Sequence, residues 1–384
     1  MQRKLSLLAC AVGLAIAQTA SADAELDKLK AEVESLKQEV ASAAEWKTPR
    51  TLIHMAGYAD VSYIDTESAP GGFTSGRFAP IFHYQIDETV MLEAEMEFTT
   101  NADGGAEVAV EYLTIDWFMN DHAALVVGKF LSPLGQFRQN LHPSWINKMA
   151  SAPVGFGHDE AAPNADIGAQ VRGGFVLDGM NLNYAVFISN GPVAEAGSGG
   201  EWEMIETPGF AGNGDDTRVG GGRLGLLFPA NKLEIGFSGA SGQIDTFGSG
   251  VGTSVPSDTE GVKRDYSVVG ADLAWRPGNF DVRAEYIRQS VGEAAASAVP
   301  EKADWTAWYA QVAYRFLPGK WEVVARYSTY ETPGLEADRV QVAGGVNYVF
   351  ESNFIAKCNY ESNDNPNDGF EADNRILMQL AYGF

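Results

Sequence analysis

Over most of this chain apolar residues fall at every second position, the spacing of a strand with one apolar and one polar face. Trp321, Val323, Ala325, Tyr327 and Thr329 alternate with Glu322, Val324, Arg326, Ser328 and Tyr330. Val340, Val342, Gly344, Val346 and Tyr348 alternate with Arg339, Gln341, Ala343, Gly345 and Asn347, and Leu182, Tyr184, Val186 and Ile188 with Asn181, Asn183 and Ser189. Two architectures accept this pattern. In a soluble sandwich the apolar faces pack on each other. In an outer-membrane barrel they face lipid while the polar faces line water.

The connections separate the two. Short ones fall at Asp87-Glu88, Met119 to Asp121, Asp178-Gly179, Pro229 to Asn231, Pro277 to Asn279, Leu317 to Gly319 and Glu351-Ser352. Long polar ones alternate with them: Asp65 to Ser75, Asn101 to Gly105, Ser132 to Asp166, Gly191 to Thr217, Gln243 to Arg264, Gly292 to Ala303, Glu331 to Ala337 and Asp364 to Glu371. A transmembrane barrel with short periplasmic turns and long external loops alternates in this way by construction. Seven short and eight long connections predict an all-β fold, a sixteen-stranded antiparallel barrel, a size that leaves an aqueous channel. Beside the short turns sit Trp117, Phe118, Phe228, Trp275, Phe280, Phe316, Trp321, Phe350, Phe354 and Phe384, as an interfacial aromatic girdle requires.

The N-terminus supplies an address. Met1 to Ala22 carries Arg3 and Lys4, an apolar run from Leu5 to Ala17 and the small-residue exit Ala20-Ser21-Ala22, the three parts of a secretory signal peptide over 1–22. Residues 23–48 are predicted to form a short coiled-coil helix, because Leu26, Leu29, Val33, Leu36 and Val40 are spaced 3, 4, 3 and 4 apart with charged residues between. Such a short helix is marginal alone, which favours oligomerisation over a solvated helix lying on the barrel end. The barrel is expected to occupy 49–384.

Composition narrows the function. A net charge of −24 repels phosphate backbones, so a nucleic-acid binder is excluded. Two cysteines cannot make a disulfide scaffold, and loss of the leader with Cys10 leaves Cys358 alone. Gly220, Gly222 and Gly225 imitate a dinucleotide fingerprint without a βαβ unit around them, and Asp364 to Arg375 imitates a calcium loop with Pro366 and Arg375 at ligand positions. The five histidines, His54, His83, His122, His142 and His158, have no metal-ligand spacing, so neither a metal nor a cofactor is expected.

The stretch Val127-Gly128-Lys129-Phe130-Leu131-Ser132-Pro133-Leu134-Gly135-Gln136-Phe137, preceded by Glu111 to Asp116, resembles the strand-and-turn motif of the phosphate-selective porin O and P family. The last strand, Ile376, Met378, Leu380 and Tyr382 against Arg375 and Gln379, resembles the C-terminal recognition strand of bacterial outer-membrane proteins, with Phe384 as its assembly signal. The resemblance implies a trimeric sixteen-stranded channel in a Gram-negative outer membrane. Its partners would be outer-membrane lipid, lipopolysaccharide and the barrel-assembly machinery. The lumenal Lys and Arg run on which the family's phosphate selectivity depends has a poor match here.

In the family a loop such as Ser132 to Asp166 folds into the lumen. Its prolines and aromatics suit an ordered segment, with an external loop resting on the rim as the alternative. Expected pore-lining residues are Arg138, His142 and Lys148 on that loop and Arg172, Arg283, Arg315, Arg326, Arg339 and Arg375 on the wall. Glu93, Glu95 and Glu97 form an opposing acidic row. Opposite charge rows would set up a transverse field across the channel, whereas lateral pairing between strands would merely solvate it. The expected function is passive diffusion of ions and small hydrophilic solutes, with a weak preference for anions. A barrel hydrolase and a plugged structural or adhesive barrel are the alternatives.

Overall fold

The computed structural model describes residue 35 and residues 51–100, 104–158, 160–196, 202–206, 217–248, 262–294, 301–316, 319–333, 338–364 and 373–384. The heptad positions Leu26, Leu29, Val33, Leu36 and Val40 and the leader lie outside them. Residues 1–53 and 54–384 are separate compact units. No helix among the described residues is long and apolar enough to cross a membrane.

Among the described residues eighteen strands form one sheet: β1 (Thr51–Thr66), β2 (Gly72–Ile86), β3 (Val90–Thr100), β4 (Ala106–Asn120), β5 (Ala123–Leu131), β6 (Ala165–Leu177), β7 (Met180–Ser189), β8 (Val193–Ala196), β9 (Trp202–Glu206), β10 (Val219–Phe228), β11 (Leu233–Gly248), β12 (Val262–Trp275), β13 (Phe280–Val291), β14 (Ala303–Arg315), β15 (Trp321–Glu331), β16 (Arg339–Glu351), β17 (Phe354–Asp364) and β18 (Arg375–Gly383). Sixteen make the wall. Each pairs antiparallel with its neighbour, β7 pairs directly with β10, and β18 pairs back onto β1 to close the ring. The other two, β8 and β9, form a small hairpin in the long connection after β7. It attaches to the upper part of β11 through a parallel β8 pairing.

The predicted strand number and alternation hold, and three connections prove shorter than expected. β1 runs to Thr66 with β2 starting at Gly72, and β11 runs to Gly248 with β12 starting at Val262. The third is the connection after β7, part of which the hairpin occupies. Polar residues in these stretches stay in the ladder because a strand rising above the membrane needs no apolar face.

Side chains divide as the alternation requires. Phe237, Val269, Val342, Val346 and Met378 point outward and are exposed on the isolated chain, where lipid would cover them. Arg283, Glu285, Glu322, Arg326, Gln341, Asn347 and Glu361 point inward. The girdle is continuous on one side of the ring: Trp321 meets Tyr348, and Tyr348 meets Phe350. From Phe350 the contacts pass through Phe354, Tyr382, Phe384 and Phe78 to Phe98, with centroids 4.6 to 6.4 Å apart.

Ring closure depends on the last residue. Gly57 and Phe384 exchange two backbone hydrogen bonds of 3.0 Å. Gly57 has φ +149, and a Cβ there would lie 2.4 Å from the carbonyl of Ala79 and 2.9 Å from the ring of Phe384. Only glycine fits where both the neighbouring strand and the terminal ring press on the backbone.

Candidate functional site: the channel constriction

The segment from Ser132 to Asn164 leaves β5, crosses the barrel interior and returns to β6, as the lumenal reading of this loop expects. At its start Gly135 adopts φ +87, where a Cβ would fall 1.7 Å from a Glu285 carboxylate oxygen. The amides of Gln136 and Phe137 donate to that carboxylate on β13 at 3.2 and 3.0 Å. A helical turn follows at Phe137–Leu141. Prolines limit the unfolded states of such a segment, and wall groups then satisfy its backbone.

The docking contacts lie on β15, β16 and β17. Arg326 is buried and donates to the carbonyls of Ser151 and Ala152 at 2.9 and 3.1 Å, to the Ser151 hydroxyl at 2.8 Å and to Gln341 at 2.8 Å. Lys357, also buried, donates to the carbonyls of Ser144 and Met149 and to Gln379. Asn359 accepts from the amide of Ala150 at 2.7 Å, and Asn347 donates to the carbonyl of Lys148 at 2.9 Å. Ser151 also bonds Glu361. Lys148 pairs with Glu322 at 3.0 Å, and Arg339 with Glu160 at 2.7 Å.

Apolar packing completes the seal. Phe137, Phe156 and Tyr309 meet edge to face with centroids 5.0 to 6.2 Å apart, beside buried Leu134, Leu141, Ile287 and Tyr330. Such aromatic pairs contribute roughly 0.5–1.5 kcal/mol each beyond their area. Trp145 lies against Gly383, where a Cβ would come 2.7 Å from its indole.

This docking redefines the expected charge rows. Arg326 faces inward as parity predicts, but the loop covers it. Arg283 is likewise buried and pairs with Asp281 at 2.7 Å. Arg375 pairs with Glu361 at 2.6 Å, Arg315 lies 3.8 Å from Glu322, and Lys148 and Arg339 serve as loop anchors. Of the basic residues expected to set an anion preference, Arg326, Arg339 and Lys148 therefore join loop to wall, while Arg283, Arg315 and Arg375 stand beside wall carboxylates, because buried carbonyls and carboxylates require donors.

Across the remaining opening stand Arg138 and His142 with Glu93, Glu95 and Glu97, together with residues that the sequence reading missed. His142 Nε2 lies 3.7 Å from Glu95, and His158 Nε2 3.6 Å from Glu111 on β4. Arg77 on β2 reaches Glu97 at 3.1 Å and Asp60 on β1 at 3.4 Å. Arg172 on β6 pairs with Asp116 at 2.7 Å and lies 3.9 Å from Glu93. Although the His158 ring is half open, the surrounding protein and then Arg138 push its imidazole down to about 4, so it is neutral at pH 7. Arg77, Glu97, Glu111, Arg138, His142 and His158 enclose a space of 90 Å³. A second cavity of 620 Å³ lies between the loop residues Gln139 and Asn140 and a wall that includes Glu93, Tyr112, Arg172 and Tyr184. Arg77 escaped notice because its strand begins inside a stretch that reads as loop. The signal available was its parity with Phe78, which faces out.

A closed sixteen-stranded barrel with an apolar exterior, an aromatic girdle and a lumenal constriction defines the class of outer-membrane porins. Residues 250–384 match the phosphate-selective porin O and P family. That match, together with the porin fold, supports a passive diffusion channel of the Gram-negative outer membrane. No curated protein matches the sequence. Among solved structures, the outer-membrane channel DcaP of Acinetobacter baumannii superposes with a TM-score of 0.59 at 9% identity, over 88% of this chain and 99% of that one. An anion-selective porin from Comamonas acidovorans gives 0.57 at 11% identity, over 87% and 100%. The trimer form of OmpT, an outer membrane protein of Vibrio cholerae, gives 0.56 at 14% identity, also over 87% and 100%. At these identities the likeness concerns the fold.

Proposed function

We propose that small hydrophilic solutes pass between the docked loop and the wall formed by β1 to β6, and that the passage weakly prefers cations. The observation that carries this reading is the fastening of the loop to β13, β15, β16 and β17, which leaves the opposite side as the way through. Six carboxylates, Asp60, Glu93, Glu95, Glu97, Glu111 and Asp116, face three guanidiniums, Arg77, Arg138 and Arg172. Charges lying within a Debye length of about 8 Å of a permeating ion dominate its energy. The weak anion preference expected from the sequence depended on a row of free arginines, whereas Arg283 and Arg326 are buried and Arg315, Arg339 and Arg375 each stand beside a carboxylate.

Replacing Glu97 and Glu111 by Gln is expected to move the reversal potential in a salt gradient toward anions. A wild-type channel already selective for anions would overturn the assignment. The channel acts without catalysis in this reading, and the barrel hydrolase and the plugged barrel are set aside for a diffusion path.

The same reading includes a signal peptide at 1–22, a coiled-coil segment at 23–48 and a homotrimer of barrels, inserted by the barrel-assembly machinery among outer-membrane lipid and lipopolysaccharide. The trimer rests on the heptad seam and on the fold shared with a protein solved as a trimer. Native mass in mild detergent should give a trimer for the mature chain and a smaller species after deletion of Asp23 to Glu45. A monomer in both would sink the idea.

A further inference from the structure

Beside the short turn at 87–89, on the lumenal side of the barrel, two histidines converge across adjacent strands. His54 on β1 and His83 on β2 stand with their Nδ1 atoms 3.1 Å apart and their rings inclined by only 22°. His83 faces inward, since its neighbours Phe82 and Tyr84 are among the exposed outer residues. Its other nitrogen, Nε2, lies 3.5 Å from a carboxylate oxygen of Glu93 on β3. The pair is 29 residues apart in the chain, a separation that no sequence motif for metal ligands covers.

We propose that His54 and His83 form a binding site for a divalent transition-metal ion, of the kind that accepts imidazole nitrogen, at the short-turn mouth of the channel. Two nitrogens 3.1 Å apart can both lie about 2.05 Å from one ion, subtending roughly 100° at the metal, close to a tetrahedral angle. The rings lie near-parallel with centroids 5.4 Å apart, and both Nδ1 atoms border the same gap. Coordination through Nδ1 requires the His83 hydrogen on Nε2, where Glu93 is placed to accept it. A carboxylate held behind a ligating imidazole fixes the tautomer and raises ligand basicity. Among the described residues no group of three or more His, Cys, Asp and Glu is arranged around one metal position. Two protein ligands therefore leave the remaining positions to water or solute, which makes the site open and exchangeable. A bound dication would add positive charge one imidazole ring away from Glu93, where the acidic row begins, reducing cation flux through the mouth.

The test uses the folded full-length barrel, without a polyhistidine tag, in detergent and in planar bilayers. Titration with Cu²⁺ followed by electron paramagnetic resonance should show one ion per chain with two nitrogen ligands. Zn²⁺ added on the short-turn side should lower cation conductance reversibly. His54→Gln and His83→Gln should each weaken binding at least tenfold, and Glu93→Gln should weaken it about 10- to 100-fold, as loss of an outer-shell partner does. A copper spectrum with fewer than two nitrogens in the unmodified protein overturns the proposal whatever the variants do. Unchanged affinity in a folded His83→Gln barrel, shown by its heat-dependent gel mobility, overturns it as well.

Discussion

Replacing Arg326 by Ala is expected to release the lumenal loop and enlarge the channel. The guanidinium holds two loop carbonyls, one hydroxyl and Gln341, and it stands 3.7 Å from buried Glu361. Its loss leaves the Ala152 carbonyl and Gln341 without that donor in a site closed to water, and the Ser151 carbonyl with Asn147 alone. Breaking one side of a buried, hydrogen-bonded charge pair costs about 3–5 kcal/mol, enough to undo a docking held by a few such contacts. Single-channel steps should become larger and noisier, and trypsin should gain access to Arg138 and Lys148. Arg326→Lys keeps the charge but loses the fork, so it should fall between the two. Unchanged conductance together with an unchanged digestion pattern would show that the anchors on β16 and β17 suffice. Selectivity would then have to be sought elsewhere than in the placement of the loop.

Removing Phe384 is expected to reduce folded yield severely while leaving conduction through surviving barrels intact. The residue closes the ring twice over, through its paired hydrogen bonds with Gly57 and through ring contacts with Phe78 and Tyr382. A barrel that fails at this seam exposes two strand edges in the membrane, where each unsatisfied backbone group costs several kcal/mol. Heat-dependent gel mobility measures the outcome directly. Undiminished folding of the truncated chain would remove the terminal strand from the role assigned to it. A valine at Gly57 attacks the same seam from the other strand, and a similar loss of folded yield is expected.

The wall was legible because alternation and connection length are local. Trp321 to Tyr330 declares its two faces without reference to any other strand, and Asp87-Glu88 declares its turn by residue type and by the length of what it joins. Both central residues there do take positive φ, at 53 and 64. The hairpin β8 and β9 was not legible, since it is an attachment to β11 rather than a part of the wall pattern. Gly197-Ser198-Gly199-Gly200 between its strands is a turn signal, but strands of four and five residues are too short for alternation to declare them. The loop's entry into the lumen followed from its length, prolines and aromatics, but its docking wall did not. Ser151 and Glu361 are 210 residues apart, and parity reports only that Arg326 points inward. Whether an inward arginine meets water or a carbonyl depends on what fills the interior.

The dock grips mainly the backbone of the loop: the carbonyls of Ser144, Lys148, Met149, Ser151 and Ala152 and the amides of Gln136, Phe137 and Ala150. Backbone groups are the same whatever residue carries them. Substitutions on the open side, at Arg138, His142 or His158, therefore leave the attachment in place. The protein thus keeps its filter and its scaffold on separate chemical inventories. A lineage carrying this arrangement can exchange one diet of solutes for another by single mutations, with no refolding of the barrel between them.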